Sequence, residues 1–284
     1  MIRVSNALFG ENSIHNMNWQ LTDTEQETVR LMSSSSITYW FRTPYELRFE
    51  LLLRLHTILA AKALNASNAS FSTFANSRCN PAYWHRTDNG GFQLRTDVKS
   101  SGGIRDIFIN GQEYGFECAT AVVIVFYKAV LDCIDENRFD DLFANLYLHD
   151  WHFDRDLHLG VTRHADKLPG DVYYFENPDV DPKKMHWQGE NTVFLGKGLF
   201  YGHGIGIRSA DGIMEVLNRN RIPNATQPAR MLDQATRPDF RYLSQFAKPH
   251  QDLNRISFPQ YGPVSPFPTS RYLIAAIGSD LYIA

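Results

Sequence analysis

Basic runs are missing from this chain of 284 residues: 28 Lys and Arg stand against 31 Asp and Glu, and the formal net charge is -3. With a sequence pI of about 6.4, the electrostatic footprint of a nucleic-acid binder is lacking, so phosphate backbones are excluded as the expected partner. Long apolar runs are missing too. ATAVVIVFY gives nine residues before Lys128, and ELLLRLHTILAA is interrupted by Arg54 and His56, so no membrane span is expected. The opening MIRVSNALFGEN lacks the apolar stretch and small-residue cleavage site of a secretory signal, which leads to the expectation of cytoplasmic synthesis. No repeat emerges at the usual periods.

Cysteine is scarce. Cys79, Cys118 and Cys133 leave one thiol unpaired in any redox state, which argues against a disulfide framework. On one helix Cys118 and Cys133 would stand roughly 22 Å apart along the axis, beyond the reach of a disulfide. Any special role for a cysteine must therefore come from thiol chemistry.

What is present is an ordinary supply of core residues, 43% hydrophobic with 21% charged, enough for one large domain or two small ones. Residues 1–43 read as polar and irregular, with the Ser33–Ser36 run as a loop. The segment from Pro44 is a predicted helix, with Thr43 as N-cap and Leu47, Leu51, Leu55, Ile58 and Leu59 on one face. Residues 65–103 read as loops around a short strand near AYWHR, followed by a short helix after KSSGGIRDI. EYGFECATAVVIVFYKAVLDC carries an apolar pattern too long for a typical strand, and predicts a buried helix beginning near Phe116. NLYLHDWHF, DVYYFE, NTVFLG and LFYGHGIGI have the alternation and aromatic content of strands. Short helices are expected over 211–220 and 228–236. The order is α+β with a mainly antiparallel sheet. Five of the 13 prolines lie at Pro249, Pro259, Pro263, Pro266 and Pro268, which divides the chain into a domain over 1–247 and a Pro-rich arm with an apolar tail over 248–284.

Cys118 stands where a polar segment becomes the apolar helix. A helix N-terminus offers unpaired N–H groups and the positive end of the macrodipole, which favour a thiolate. The competing reading is a buried structural cysteine, the class to which Cys79 and Cys133 are assigned. Glu117 beside it would raise the thiol pKa or accept its proton. Cysteine acyl transfer needs a base within hydrogen-bond reach, and Glu190 in HWQGEN and His203 in YGHGIGI are the candidates, with Gly202 and Gly204 leaving room at the imidazole. GHGIG lacks the spacing of a dinucleotide site. His152, Asp154, Asp156 and His158 would share one face if they formed a strand and could then hold a divalent metal; the alternative is a solvated turn.

FECATAVVIVFYKA, LHDWHF, DVYYFENP, HWQGEN and YGHGIGI, in this order and spacing, closely resemble the small spore-coat transglutaminases of endospore-forming bacilli, from about Ile2 to Asp239. The resemblance implies a papain-like, or NlpC/P60-like, α+β core. It implies Cys118 as nucleophile, Glu190 as its principal acid-base partner, His203 as support for that partner, and Glu117 as a second carboxylate that partly substitutes. Bottom-up chemistry ranks His203 above Glu190 as base, and the resemblance reverses that ranking. It further implies a thioester formed from a protein glutamine with loss of ammonia, then an ε-(γ-glutamyl)lysine cross-link. Trp151 and Trp187 become candidate substrate-binding walls that shield the thioester from water. The implied partners are protein substrates of the spore coat, with no metal, calcium or organic cofactor. Two other functions stay open: a cysteine hydrolase acting as deamidase or peptidase, and a non-enzymatic coat-assembly protein.

Overall fold

Thr43 starts the longest helix. Its hydroxyl accepts the Glu46 N–H and Pro44 occupies the first helical position, so α2 (Pro44–Ala66) begins where the cap chemistry dictates. The computed structural model describes residues 1–248, except 11, 12, 15, 16 and 18, and the backbone of 274–277 and 280–283. α2 is buried on nearly every side, as a central core helix must be, and packs chiefly against α4 (Cys118–Cys133). In α4 every residue except Cys118 and Asp132 is buried. Among the described residues no helix is long and apolar enough to cross a membrane.

The first 43 residues are not irregular. They contain the strands Ile2–Val4, Ala7–Leu8 and Tyr39–Phe41, joined as one small sheet, and α1 (Asp23–Ser34), which enters from a capping box between Thr22 and Glu25. The helices α3 (Ser100–Ile109) and α5 (Glu136–Leu142) flank α4.

A six-stranded sheet covers α4 and α2. Its strands are β1 (Leu159–Arg163), β2 (Val172–Glu176), β3 (Gly189–Gly196), β4 (Leu199–Gly202), β5 (Gly206–Ser209) and β6 (Arg230–Pro238). They lie in the order β5-β4-β3-β2-β6-β1, antiparallel throughout. Alternation sorts the side chains: Val193 and Leu195 join the cluster around α4, while Phe194 joins Tyr173, Phe175 and Phe200 on the other face. There α6 (Ala210–Asn218) contributes Ile213 and Leu217. This is the expected α+β, papain-like core.

Two boundaries differ from expectation. Residues 228–236 form most of β6 rather than a helix: two-sided pairing with β2 and β1 outweighs the helix preference of Met231, Leu232, Gln234 and Ala235. The helix expected from Phe116 starts at Cys118, because Gly115 and Phe116 pair in parallel with Ser70 and Phe71. The Pro-rich part of the expected arm lies outside the described residues; within the tail, Ile274–Ile277 and Asp280–Ile283 pair as an antiparallel hairpin.

Candidate active site

Cys118 is the first residue of α4, and Glu117 is its N-cap without a side-chain cap bond. The first helical bond runs from the Ala121 N–H to the Glu117 carbonyl at 2.9 Å, so the helix end faces the thiol with N–H groups that no helical carbonyl can take. That end does not dominate. Burial pushes the thiol up to about 12, the nearby Glu190 carboxylate adds to the rise, and the amide groups of Asn191 oppose it. Burial and the Glu190 charge thus act against the ionisation expected from the helix end. The other two thiols are raised by burial as well, Cys79 to about 11 and Cys133 further still.

Glu190 enters from the second position of β3 and is 3% exposed. Its side chain lies over Gly202 of β4, where a Cβ would come within 3.0 Å of both Cγ and Oε1. The room that Gly202 leaves thus belongs to the carboxylate. Oε1 has no hydrogen-bond partner among the described residues. Burial holds the carboxyl well above its usual 4.5; the backbone N–H of His203 works against this, and Glu117 adds to it. A carboxyl raised in this way can take a proton and give it back near neutrality.

His203 follows directly after β4. Its ring stacks on Phe116 with centroids 4.7 Å apart, and Nδ1 meets the Tyr201 hydroxyl at 3.0 Å. Burial lowers its pKa to about 4, against the pull of the Ser70 carbonyl, so the ring is neutral at pH 7. The neighbouring Gly204, at φ +92°, is where a Cβ would meet Phe71 at 2.7 Å. The imidazole therefore touches aromatic rings and a phenol, and its link to Glu190 runs through its own backbone N–H.

A cavity of about 570 Å³ opens beside the sulfur. On one side stand Glu117 and Asp150, and burial together with the charge of Asp150 raises the Glu117 carboxyl. Trp151 belongs to this wall. Its loop is moored to α4 by the Asp150 N–H donating to Thr120 Oγ1 at 2.9 Å and the Asp154 N–H donating to Tyr127 at 2.7 Å. The opposite wall comes from the sheet: Val161 of β1, Tyr174 of β2, Asn191 of β3 and Thr236 of β6. Trp187 is not a lining residue. It packs on the Phe175 cluster across the sheet, and its neighbour His186 takes the place at the rim; membership in a motif said nothing of which way the indole turns.

The structure thus brings Cys118, Glu117, Glu190 and His203 into one neighbourhood, with Trp151 on the cavity wall. Asn191, Tyr174 and Asp150 are functional-site residues that sequence reasoning missed. Asn191 donates from Nδ2 to Cys118 Sγ at 3.6 Å, and its only signal in the sequence is its position after Glu190. The His152–His158 segment forms a 3-10 turn at Arg155–Leu157 with Asp154 as its cap. Among the described residues no group of three or more His, Cys, Asp or Glu is placed to hold a metal ion.

Comparison with known proteins adds three findings. The profile of a family described as protein-glutamine gamma-glutamyltransferase matches residues 1–247. Proteins of that name from Bacillus cereus (strain B4264) and Bacillus mycoides (strain KBAB4) are 45% and 46% identical over 234 residues, which is 82% of this chain and 85% of each relative. A solved transglutaminase from Geobacillus stearothermophilus, without its C-terminal extension, is 53% identical with a TM-score of 0.70, and the match covers 72% of this chain and 99% of that one.

Proposed function

Since the chain belongs to the protein-glutamine gamma-glutamyltransferase family and is an acyltransferase, we propose that it cross-links proteins through a thioester on Cys118. The observation that carries this reading is a thiol and an amide donor meeting on the wall of one open cavity, with an unpaired buried carboxyl close enough to act on the sulfur. The Glu190 carboxylate takes the Cys118 proton, and the sulfur attacks the side-chain amide carbon of a glutamine. The C–N bond breaks as Glu190 returns the proton to nitrogen, and ammonia leaves. A lysine amine then attacks the thioester; its proton passes to Glu190 and on to sulfur as the C–S bond breaks, leaving an isopeptide.

His203 supports Glu190 by fixing the β4 turn, and Glu117 is the second carboxylate able to accept a proton at the same sulfur. Trp151, with Phe153 and Leu159, shields the thioester so that amine outcompetes water. Residues 1–247 are the catalytic unit and 248–284 an accessory arm, a division in keeping with the family match. The substrates are spore-coat proteins and the reaction needs no calcium; the resemblance to bacillar spore-coat enzymes supports both points.

Incubation with a glutamine-containing protein and a fluorescent primary amine tests the chemistry. Amine incorporation and ammonia release should appear together, survive EDTA, and vanish in Cys118→Ala. Ammonia release without incorporation would mark a hydrolase instead.

A further inference from the structure

Cysteine acyl-transfer sites often hold their thiolate by pairing it with an imidazolium. This site has no such pair. The His203 ring is engaged by Tyr201 and Phe116, it makes no hydrogen bond to sulfur among the described residues, and burial keeps it neutral. Among the described residues no Lys or Arg lines the cavity, and the one imidazole that does, His186, lies against Phe71 and Trp187 and makes no hydrogen bond to sulfur. The ionisable groups around the sulfur are instead acids: Glu117 from the helix cap, Glu190 from β3 and Tyr174 from β2. A thiolate there would face carboxyl groups on two sides.

One side chain stands against this. Asn191 is 7% exposed, is paired in register with Tyr174, and lies on the cavity wall. Its Nδ2 makes the one side-chain hydrogen bond to Cys118 Sγ among the described residues, at 3.6 Å across 73 positions of sequence. Its backbone N–H favours the ionised sulfur as well. An amide has no proton to lose in the working range, so its support does not vary with pH as that of an imidazolium would.

We propose that Asn191 is a catalytic residue whose amide hydrogen bond stabilises the Cys118 thiolate, in the place where an imidazolium would otherwise stand. The inference rests on Cys118 being the nucleophile. When sulfur attacks, negative charge moves from it to the substrate oxygen, so the amide is needed most before attack, in forming the nucleophile.

The test is the rate of iodoacetamide alkylation at Cys118, followed by peptide mass from pH 6 to 11 on the full chain, alongside the kcat and KM of amine incorporation. A hydrogen bond to a charged group is worth enough for Asn191→Ala to slow alkylation at pH 7 about 10- to 100-fold. Because the thiol is pushed up to about 12, the variant should stay slower than the wild type by about the same factor across this pH range, and kcat should fall while KM stays within about twofold. Asn191→Asp should slow it further, and Asn191→Gln should recover part of the loss. If Asn191→Ala and Asn191→Leu, each folded by circular dichroism, alkylate at the wild-type rate across this pH range, the proposal is overturned. Failure of the underlying reading looks different: Cys118→Ala would then keep its cross-linking activity.

Discussion

Asp171, just ahead of β2, and Glu190, near the head of β3, are both carboxylates removed from solvent, at 0% and 3% exposure. Their surroundings are opposite. Asp171 Oδ1 accepts from Arg54 at 2.8 Å and Oδ2 from Arg237 at 2.7 Å. Arg54 also holds Glu50 at 2.9 Å and the Pro169 carbonyl at 3.1 Å, with its guanidinium over the Phe240 ring. Glu25 and Arg48 form a second buried pair. No arginine comes to Glu190, and one of its oxygens has no partner among the described residues. A carboxylate clamped by two guanidinium groups fixes α2 to the sheet but has little freedom to exchange protons; one left open to its neighbours has that freedom and weakens the fold. The contrast separates a charge fixed by partners from a carboxyl free to titrate, without reference to a motif.

Exchanging the charge state at each place should break the contrast. The largest effect is expected for Glu190→Gln, which keeps the shape and removes the proposed acid-base group: kcat for amine incorporation should fall about 10²- to 10⁴-fold. Because the folded-state pKa of Glu190 is raised above its usual 4.5, its neutral form is the favoured one in the fold. Stability from this group is fully present below the unfolded value and is lost as pH rises through the folded one. Urea midpoints of Glu190→Gln should thus gain on the wild type as pH increases from about 4.5, the reverse of what loss of a structural ion pair would give.

Asp171→Ala should do the opposite. Breaking a buried pair leaves guanidinium charge uncompensated and costs about 3–5 kcal/mol, read as a lower urea midpoint, while the kcat of the folded fraction stays near that of the wild type. His203→Phe keeps a ring on Phe116 and removes the titration. The folded histidine sits at about 4 against an ordinary 6.5, so its contribution is present above 6.5 and lost as pH falls through 4. Over that window the wild type should lose about 3 kcal/mol more than the variant. Last comes Arg105→Ala. Its pair with Glu136, at 2.7 and 2.8 Å, is solvent-exposed and should change the urea midpoint by less than about 1 kcal/mol.

Local signals carried the fold as far as local chemistry reaches. Thr43 and Pro44 announced α2, and the change from polar to apolar at Cys118 marked the start of α4 to within two residues. The Thr22 to Glu25 capping box was equally present in the sequence, yet the surrounding polarity hid α1. β6 could not be read locally, because what makes Arg230–Pro238 a strand is its two neighbours. At the site, titratable residues drew attention because their types imply chemistry. Asn191 did not, since an amide next to a carboxylate carries no signal until the fold brings it to sulfur. The place of Glu190 over Gly202 likewise depends on strand pairing, and the side of the sheet to which Trp187 turns depends on register.

The two sides of the cavity are held with unequal firmness. The side bearing Cys118 is fastened by the Gly115–Phe116 pairing with Ser70–Phe71, by the bridge from Arg78 to Gly115 and by the Phe116 stack on His203. The far side is the sheet edge, where Val161 of β1 is 61% exposed and Gln234 and Thr236 of β6 carry no charge. That edge can therefore be rebuilt residue by residue to reshape the cavity, while the contacts that fasten Cys118 lie on the other side.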